Sequence, residues 1–94
     1  MPLFVIKHGH DAATCPAGHP QYGPMLLKHL AGAKAAGVTV NGEAVVNGGH
    51  QLFLIASAKD ASTVKTFMQP FAQMGSVEVL ESSHCEAVVA RGKC

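Results

Sequence analysis

The sequence is poor in charge, and this shortage excludes several classes of function. Only 14% of the 94 residues are charged, the formal net charge is +1, and Lys and Arg form no run. Aromatic residues make up 5%, and tryptophan is absent. The chain also has no RNP-like aromatic cluster and no zinc-finger spacing. Nucleic-acid binding is therefore not expected.

The sequence also lacks long apolar runs and an even number of cysteines. The longest uninterrupted apolar run, 52–56, is far shorter than the about 20 residues of a membrane-spanning helix. The segment 1–7 lacks the basic and long apolar parts of an export signal. Three cysteines are an odd number for a secreted disulfide framework. We therefore expect a cytoplasmic protein with free, metal-bound or reactive thiols and no membrane partner.

The familiar catalytic motifs are absent as well. The sequence contains no Gly-x-Gly-x-x-Gly, P-loop, nucleophile elbow or His-Glu-x-x-His, which argues against nucleotide-binding proteins, hydrolases of these types and zinc proteases. What the chain does contain is 48% hydrophobic residues, too many for a disordered chain, and six histidines. With the three cysteines, these histidines give nine nitrogen or sulfur ligands against six carboxylates. This composition favours metal chemistry.

Hydrophobic periodicity predicts a single α+β domain over 1–94. Strands are predicted at 2–8, 38–46, 50–57 and 77–80. One helix is predicted from Pro24 to a stop at Gly37, and a second follows the N-cap Asp60 and is interrupted near Pro70. The remaining expectations are a long Gly- and Pro-rich loop at 9–24, a hairpin turn at 47–49, a bulge at 41–42 and a tail at 83–94 with a helical turn.

The element order is β-α-β-β-α-β, which is the ferredoxin-like pattern with an antiparallel four-stranded sheet ordered 4-1-3-2. Both faces of the strands are apolar: Leu3 and Val5 alternate with Phe4 and Ile6, and residues 52–55 repeat the pattern. Helices in such a fold cover only one face, so the second face needs another cover. A face-to-face homodimer supplies that cover, and we expect one.

Over residues 2–82 this pattern resembles the dimeric α/β barrel superfamily, in which the sheets of two small ferredoxin-like chains join into one barrel. The element order, the two-faced strands, Gly37-Val38 and Gly48-Gly49-His50 carry the resemblance, which is closest to small uncharacterised domains. The superfamily includes haem-degrading and cofactor-independent monooxygenases, chlorite dismutases, sulfur oxygenase reductases, nickel-binding proteins and stress-response proteins. The resemblance thus implies a barrel cavity and a dimer, and no particular reaction.

Histidines and a cysteine concentrate around the end of the first strand. His8 and His10 are two residues apart, so their side chains project to the same face while the strand remains extended. The following loop supplies Cys15, and His50 opens the third strand, which runs antiparallel to the first and therefore begins near its end. Imidazoles and a thiolate are ligands of transition metals. The sequence therefore predicts a metal site of His8, His10, Cys15 and His50.

A second tier of candidate ligands consists of His19, His84 and Cys85. His19 lies four residues after Cys15 in the same loop. His84 and Cys85 follow the fourth strand, whose end lies near the start of the first strand, so they reach the site only if the tail folds back or contacts the dimer partner. His29 is expected on the flank of the first helix, and one of the strand carboxylates (Glu43, Glu78, Glu81) is a candidate fourth ligand or general base.

Three functions follow from these patterns. The first is a small homodimeric protein that binds zinc, copper, nickel or iron through His and Cys, with redox or oxygenase-type chemistry. The second is a haem-dependent or cofactor-independent monooxygenase-like enzyme that uses the barrel cavity, with a histidine as axial haem ligand. The third is a small-ligand-binding or stress-response module without metal. The sequence does not decide whether the chain is an enzyme.

Overall fold

Four strands pair into one antiparallel sheet in the computed structural model, which describes residues 1–94. The strands are β1 (Leu3–Gly9), β2 (Thr39–Val45), β3 (Gln51–Ser57) and β4 (Ser76–Ser82). The α-helices are α1 (Tyr22–Ala31), α2 (Ala61–Phe67), α3 (Gln69–Ala72) and α4 (Cys85–Arg91). Short 3₁₀ turns cover Ala12–Thr14, Pro16–Gly18 and Ala33–Ala36. The α+β class and the antiparallel four-stranded sheet predicted from the sequence are confirmed.

The strand order is β2-β3-β1-β4, which reads β4-β1-β3-β2 from the other edge. β1 is central and antiparallel to both of its neighbours. Gly9, the last residue of β1, pairs with Gln51 at the start of β3 and with Ser76 at the start of β4. Three chain segments therefore meet at this end of the sheet, and the arrangement is compatible with a ferredoxin-like fold.

The helices begin and end close to the sequence signals, with local differences. α1 starts at Tyr22, two residues before Pro24, so this proline sits in the first turn, where no intrahelical donor is needed. A 3₁₀ turn then continues to Gly37, whose φ of 82° ends the segment in the left-handed region. The predicted loop 9–24 contains two 3₁₀ turns, because Pro16 and the flanking small residues allow tight turns but no longer helix.

The second helical segment is interrupted as predicted. The Asp60 carboxylate accepts a hydrogen bond of 2.8 Å from the backbone N–H of Thr63 and caps α2. α2 ends at Phe67, and Pro70 lies in the first turn of the separate helix α3. None of the helices has both the length and the apolar character needed to cross a bilayer. Pro70 therefore divides one predicted helix into two short ones.

The core lies between one face of the sheet and helices α1 to α3. Phe4, Ile6 and Leu54 are almost completely buried there, and His8 shares their face with 2% exposure. On the other face Ile55 remains 47% exposed, although it lies in the middle of β3. The chain is correspondingly flat, with extents of 46 × 29 × 18 Å and a radius of gyration of 14.1 Å, whereas about 12 Å is usual for this length. One sheet face thus has no covering layer.

Candidate metal centre

The end of β1, the loop that follows it and the start of β3 bring three of the predicted ligands together. His10 comes directly after β1, and its backbone N–H donates a hydrogen bond of 3.2 Å to the carbonyl of His50. His50 precedes β3 and has a φ of 52°, a left-handed backbone conformation that is uncommon outside glycine. Cys15 lies between the two 3₁₀ turns of the loop. The antiparallel pairing of β1 and β3 therefore builds the site.

The ligand atoms of His10, Cys15 and His50 all lie within 4.8 Å of one another. The ring centroids of His10 and His50 are 5.3 Å apart and meet edge to face. Bond lengths of about 2.0 Å to nitrogen and 2.3 Å to sulfur place the ligand atoms of a tetrahedral ion about 3.3 to 3.6 Å apart. A small inward rotation of partly exposed side chains closes this difference, so the group can hold one ion.

His8 lies behind this group rather than in it. Its Nδ1 donates a hydrogen bond of 2.9 Å to the carbonyl oxygen of Ser76, because a carbonyl can only accept. The Nε2 atom of neutral His8 is then an acceptor, and it lies 3.3 Å from Nδ1 of His10. His10 consequently carries its proton on Nδ1 and leaves Nε2 with a free lone pair.

The free nitrogen of His10 has no other use within the chain. Its Nε2 atom is buried and has no hydrogen-bond partner. A buried polar atom without a partner is costly, and such atoms are rare in folded proteins. Metal-ligating histidines commonly donate their other ring N–H to a fixed acceptor, which sets the tautomer. A chain of two hydrogen bonds, which we call the relay, runs from the Ser76 carbonyl through His8 to Nδ1 of His10. The other ring nitrogen of His10, Nε2, is the atom without a partner.

The environment keeps both relay histidines neutral. Burial lowers the pKa of His8 below its ordinary value, and the nearby His10 lowers it further, against an opposing hydrogen bond to Ser76. Burial also lowers the pKa of His10, followed by the effect of neighbouring His50, while Asp11 acts in the opposite direction. A neutral imidazole keeps a lone pair for a metal ion, so these shifts favour ligation near neutral pH.

The second-tier ligands lie elsewhere. His19 is exposed, stacks on Tyr22, and accepts hydrogen bonds of 3.1 Å at Nδ1 from the backbone N–H groups of Gln21 and Tyr22. His84 and Cys85 are exposed at the start of α4. They follow β4 beyond Ser82, which pairs with Leu3 at the opposite end of β1 from His10. None of these three residues belongs to the group whose ligand atoms converge.

His29 flanks α1 as predicted: its ring stacks on Phe67 at 4.6 Å, and its Nε2 donates a hydrogen bond of 2.6 Å to the Phe67 carbonyl. Of the three strand carboxylates, only Glu43 lines the space next to the metal group. Glu43 is not one of the residues whose ligand atoms converge.

An apolar cleft opens beside the group, with a volume of about 680 Å³. His10, Cys15 and His50 all line it, together with leucines of α1 and valines of the β2–β3 connection. Small-molecule sites in proteins usually measure about 300 to 1,000 Å³ and are lined mainly by apolar side chains. The ligand group therefore lies on the wall of a space that is large enough for a small molecule.

Comparison with known proteins gives no assignment: no protein-family model, no curated protein and no solved structure matches the chain. The inference about function therefore depends on the chemistry of the site itself.

Sequence reasoning missed the relay and the cleft wall. The spacing of His8 to His10 predicts a ligand at His8, because this spacing gives the common face but not the tautomer. Ser76 gave no signal at all, since its contribution is a backbone carbonyl 68 residues away from His8. The cleft-lining Leu27 and Val46 look like ordinary core residues in the sequence, although both are substantially exposed.

Proposed function

We propose that this chain is a transition-metal-binding protein in which His10, Cys15 and His50 hold one ion and His8 orients His10. The observation that carries the proposal is the buried, unpartnered Nε2 atom of His10 at the end of the Ser76–His8–His10 relay. The ligand atoms of Cys15 and His50 lie within 4.8 Å of the His10 ligand atom. An ion at this position removes the cost of the unpaired lone pair.

The donor set indicates the class of ion. Two imidazole nitrogens and one thiolate favour zinc, copper, nickel or iron over magnesium and calcium, which prefer oxygen. Three protein ligands leave a coordination position free, as in catalytic rather than structural zinc sites. A metal ion held in this way supplies Lewis-acid chemistry, or redox and oxygen chemistry if it is copper or iron. The open position and the adjacent cleft favour a reactive or ligand-binding centre.

The proposal is tested by metal content and by a spectroscopic signature of the thiolate. Tag-free protein is reconstituted with Zn²⁺, Cu²⁺, Ni²⁺, Fe²⁺ or Co²⁺, desalted and analysed for bound metal, and the Co²⁺ form is examined for a thiolate-to-metal charge-transfer band. We expect about one equivalent of ion. Cys15→Ser and His50→Gln should each lose most of the binding, and Cys15→Ser should also lose the band.

Matched controls come from the C-terminal segment. Cys94→Ser and His84→Gln remove the same atoms at exposed positions outside the group, so both should bind as the unaltered protein does. Less than about 0.1 equivalents of every ion after reconstitution would contradict the proposal. Binding by Cys15→Ser that equals binding by Cys94→Ser would also contradict it.

We also propose a ferredoxin-like homodimer formed through the open sheet face. Val5, Phe53, Ile55 and Leu80 supply the apolar surface, and Ile55 and Leu80 are 47% and 49% exposed. Exposed apolar area in the middle of a sheet is usually covered by another chain or layer. We further propose a reducing compartment such as the cytoplasm, because a site that uses the Cys15 thiolate needs that thiol unoxidised.

The apolar cleft supports a second candidate, a small-ligand-binding module without metal, because its volume and lining suit a small molecule even if no ion is present. The two candidates differ in one measurement. Ligand binding that survives complete removal of metal by a chelator favours the second candidate. The haem-dependent and cofactor-independent monooxygenase functions and the stress-response role stay predictions of the sequence pattern.

A further inference from the structure

We infer that the cleft takes a small, largely apolar molecule that carries a single uncharged donor atom, and that this atom occupies the free coordination position of the ion. The inference builds on the proposed function, since it needs an ion held by His10, Cys15 and His50. It adds the chemical class of the ligand. Three features carry it: the position of the metal group, the apolar lining and the distribution of charge.

The metal group faces the cleft. His10, Cys15 and His50 are all lining residues, so an ion held by them borders the same space. On its inner side the group is backed by His8, which is buried and already hydrogen-bonded to Ser76. The coordination position that the protein leaves free is therefore reached from the cleft.

The body of the cleft suits an apolar molecule. Leu26, Leu27 and Leu30 of α1 line it, and Val45 and Val46 line it from the end of β2 and the turn that follows. Leu27 and Val46 are 68% and 45% exposed. Burial of apolar ligand surface against such side chains is favourable in proportion to the area removed from water. The lining thus selects for an apolar body.

The charges around the cleft disfavour a ligand that carries an anionic group. Glu43 is the charged residue that lines it, and no Lys or Arg does. A carboxylate or phosphate on the part of the ligand that does not bind the ion would approach the Glu43 carboxylate, and no Lys or Arg in the lining would compensate it. A neutral nitrogen heterocycle carries the one donor atom that the ion needs and brings no charge of its own. Such molecules form the expected class.

The experiment uses the Co²⁺-loaded full chain and follows its visible spectrum during titration with three probes: imidazole, 4-phenylimidazole, and imidazole that bears a carboxylate side chain. The three probes share the imidazole donor nitrogen and differ in the substituent on the ring. We expect 4-phenylimidazole to bind about tenfold or more tighter than imidazole, because the phenyl ring is buried against the cleft wall. The carboxylate derivative should bind more weakly than imidazole itself.

Variants of the cleft wall separate this effect from the metal site. Leu27→Asp places a charge on the wall at an exposed position, and should reduce the preference for 4-phenylimidazole over imidazole to about threefold or less. Val46→Asp tests the opposite chain segment in the same way. Val89→Asp, at a 79% exposed position on α4, is the control and should keep the full preference.

The outcomes distinguish a failure of the metal site from a failure of the ligand class. If Co²⁺ binds with its thiolate band but 4-phenylimidazole binds no tighter than imidazole, the inference about the ligand is overturned and the metal site stands. The same holds if Leu27→Asp and Val46→Asp keep the full preference. If Co²⁺ does not bind, the proposed function fails and the inference fails with it.

Discussion

At the scale of single residues, the unusual feature is that His8 and His10, only two positions apart, have different roles. His8 and His10 project to the same side of β1, and their rings lie 5.3 Å apart. His8 contacts the Ser76 carbonyl and packs edge-on against Phe71, whereas the Nε2 atom of His10 has no partner. The depth of each side chain decides its role: the deeper ring of His8 orients the ring of His10, and the outer ring of His10 is free to bind a metal ion.

The orienting role of His8 predicts different effects for two substitutions of similar volume at this position. His8→Met removes the acceptor for Nδ1 of His10 and should lower metal affinity about 10- to 100-fold, as loss of an orienting partner usually does. His8→Gln keeps an acceptor oxygen near the position of Nε2 and should retain more of the affinity. Competition titration with a chromophoric chelator measures both. Equal affinities for the two variants, each checked for folding by circular dichroism, would contradict the relay.

The lowered pKa values of His8 and His10 predict how the stability of the metal-free protein depends on pH. The folded pKa of each lies below the ordinary value of 6.5, so the unfolded chain binds more protons between those two values. This contribution to stability is present above about pH 6.5 and is lost as the pH falls through the lowered folded pKa. Urea unfolding of chelator-treated protein at about pH 7.5, 6.5 and 5.5 should show it.

The same experiment with His8→Gln provides the control. Removing one of the two titrating groups should reduce the dependence on pH in this interval, whatever the absolute stability of the variant. A free energy of unfolding that is constant or rises as the pH falls from about 7.5 to 5.5 would show that neutral histidines do not stabilise the fold.

At the scale of elements, the site depends on a close backbone contact between β1 and the segment that enters β4. A Cβ atom at Gly75 would overlap the carbonyl oxygen of Gly9 and contact the Cα atom of His10. The approach is possible only because Gly75 has no side chain. This contact places Ser76 where its carbonyl reaches His8. The turn before β4 is therefore part of the support of the metal group.

Gly75→Ala should accordingly both destabilise the protein and weaken its binding of a metal ion. Overpacking against backbone typically costs about 1 to 3 kcal/mol, and the displaced backbone carries His10 with it. Gly42→Ala is the matched control, because nothing lies within 4 Å of a Cβ atom there. Thermal unfolding and metal titration of both variants test the expectation. A Gly75→Ala protein that matches Gly42→Ala in both would contradict it.

At the scale of the whole molecule, the flat shape and the uncovered sheet face belong together. The helices that build the core all pack on one side, so the extents of 46 × 29 × 18 Å reflect a sheet with one layer of helices. Ile55 and Leu80 remain about half exposed on the other side. A second copy placed face to face would bury them and give the molecule its missing layer.

This arrangement predicts that a charge on the open face separates the protomers. The unaltered protein should sediment with twice the chain mass of 9.7 kDa, and Ile55→Glu should sediment as a monomer, because the carboxylate would be buried without a partner. Val89→Glu, on an exposed helix position, should not change the mass. Sedimentation velocity at several concentrations is the measurement. A monomeric unaltered protein would contradict the homodimer.

Much of the fold followed from local signals in the sequence. Alternating apolar residues located the strands, the Asp60 carboxylate and Gly37 marked helix ends, and the Val40/Gly42 register shift is the bulge expected near 41–42. These features depend on neighbours within a few residues, which is why a single sequence specifies them. Antiparallel pairing of the first and third strands also brought His10 and His50 together, as expected.

The sequence by itself determined that imidazoles and a thiol gather at one end of the sheet, because chain direction and strand order suffice for that. Only the tertiary structure decided that His8 turns inward, that His19 accepts backbone hydrogen bonds at the start of α1, and that His84 lies at the far end. The physical reason is that depth, tautomer and register are set by contacts between segments far apart in the chain. The carbonyl that fixes the ring of His8 belongs to a residue 68 positions away.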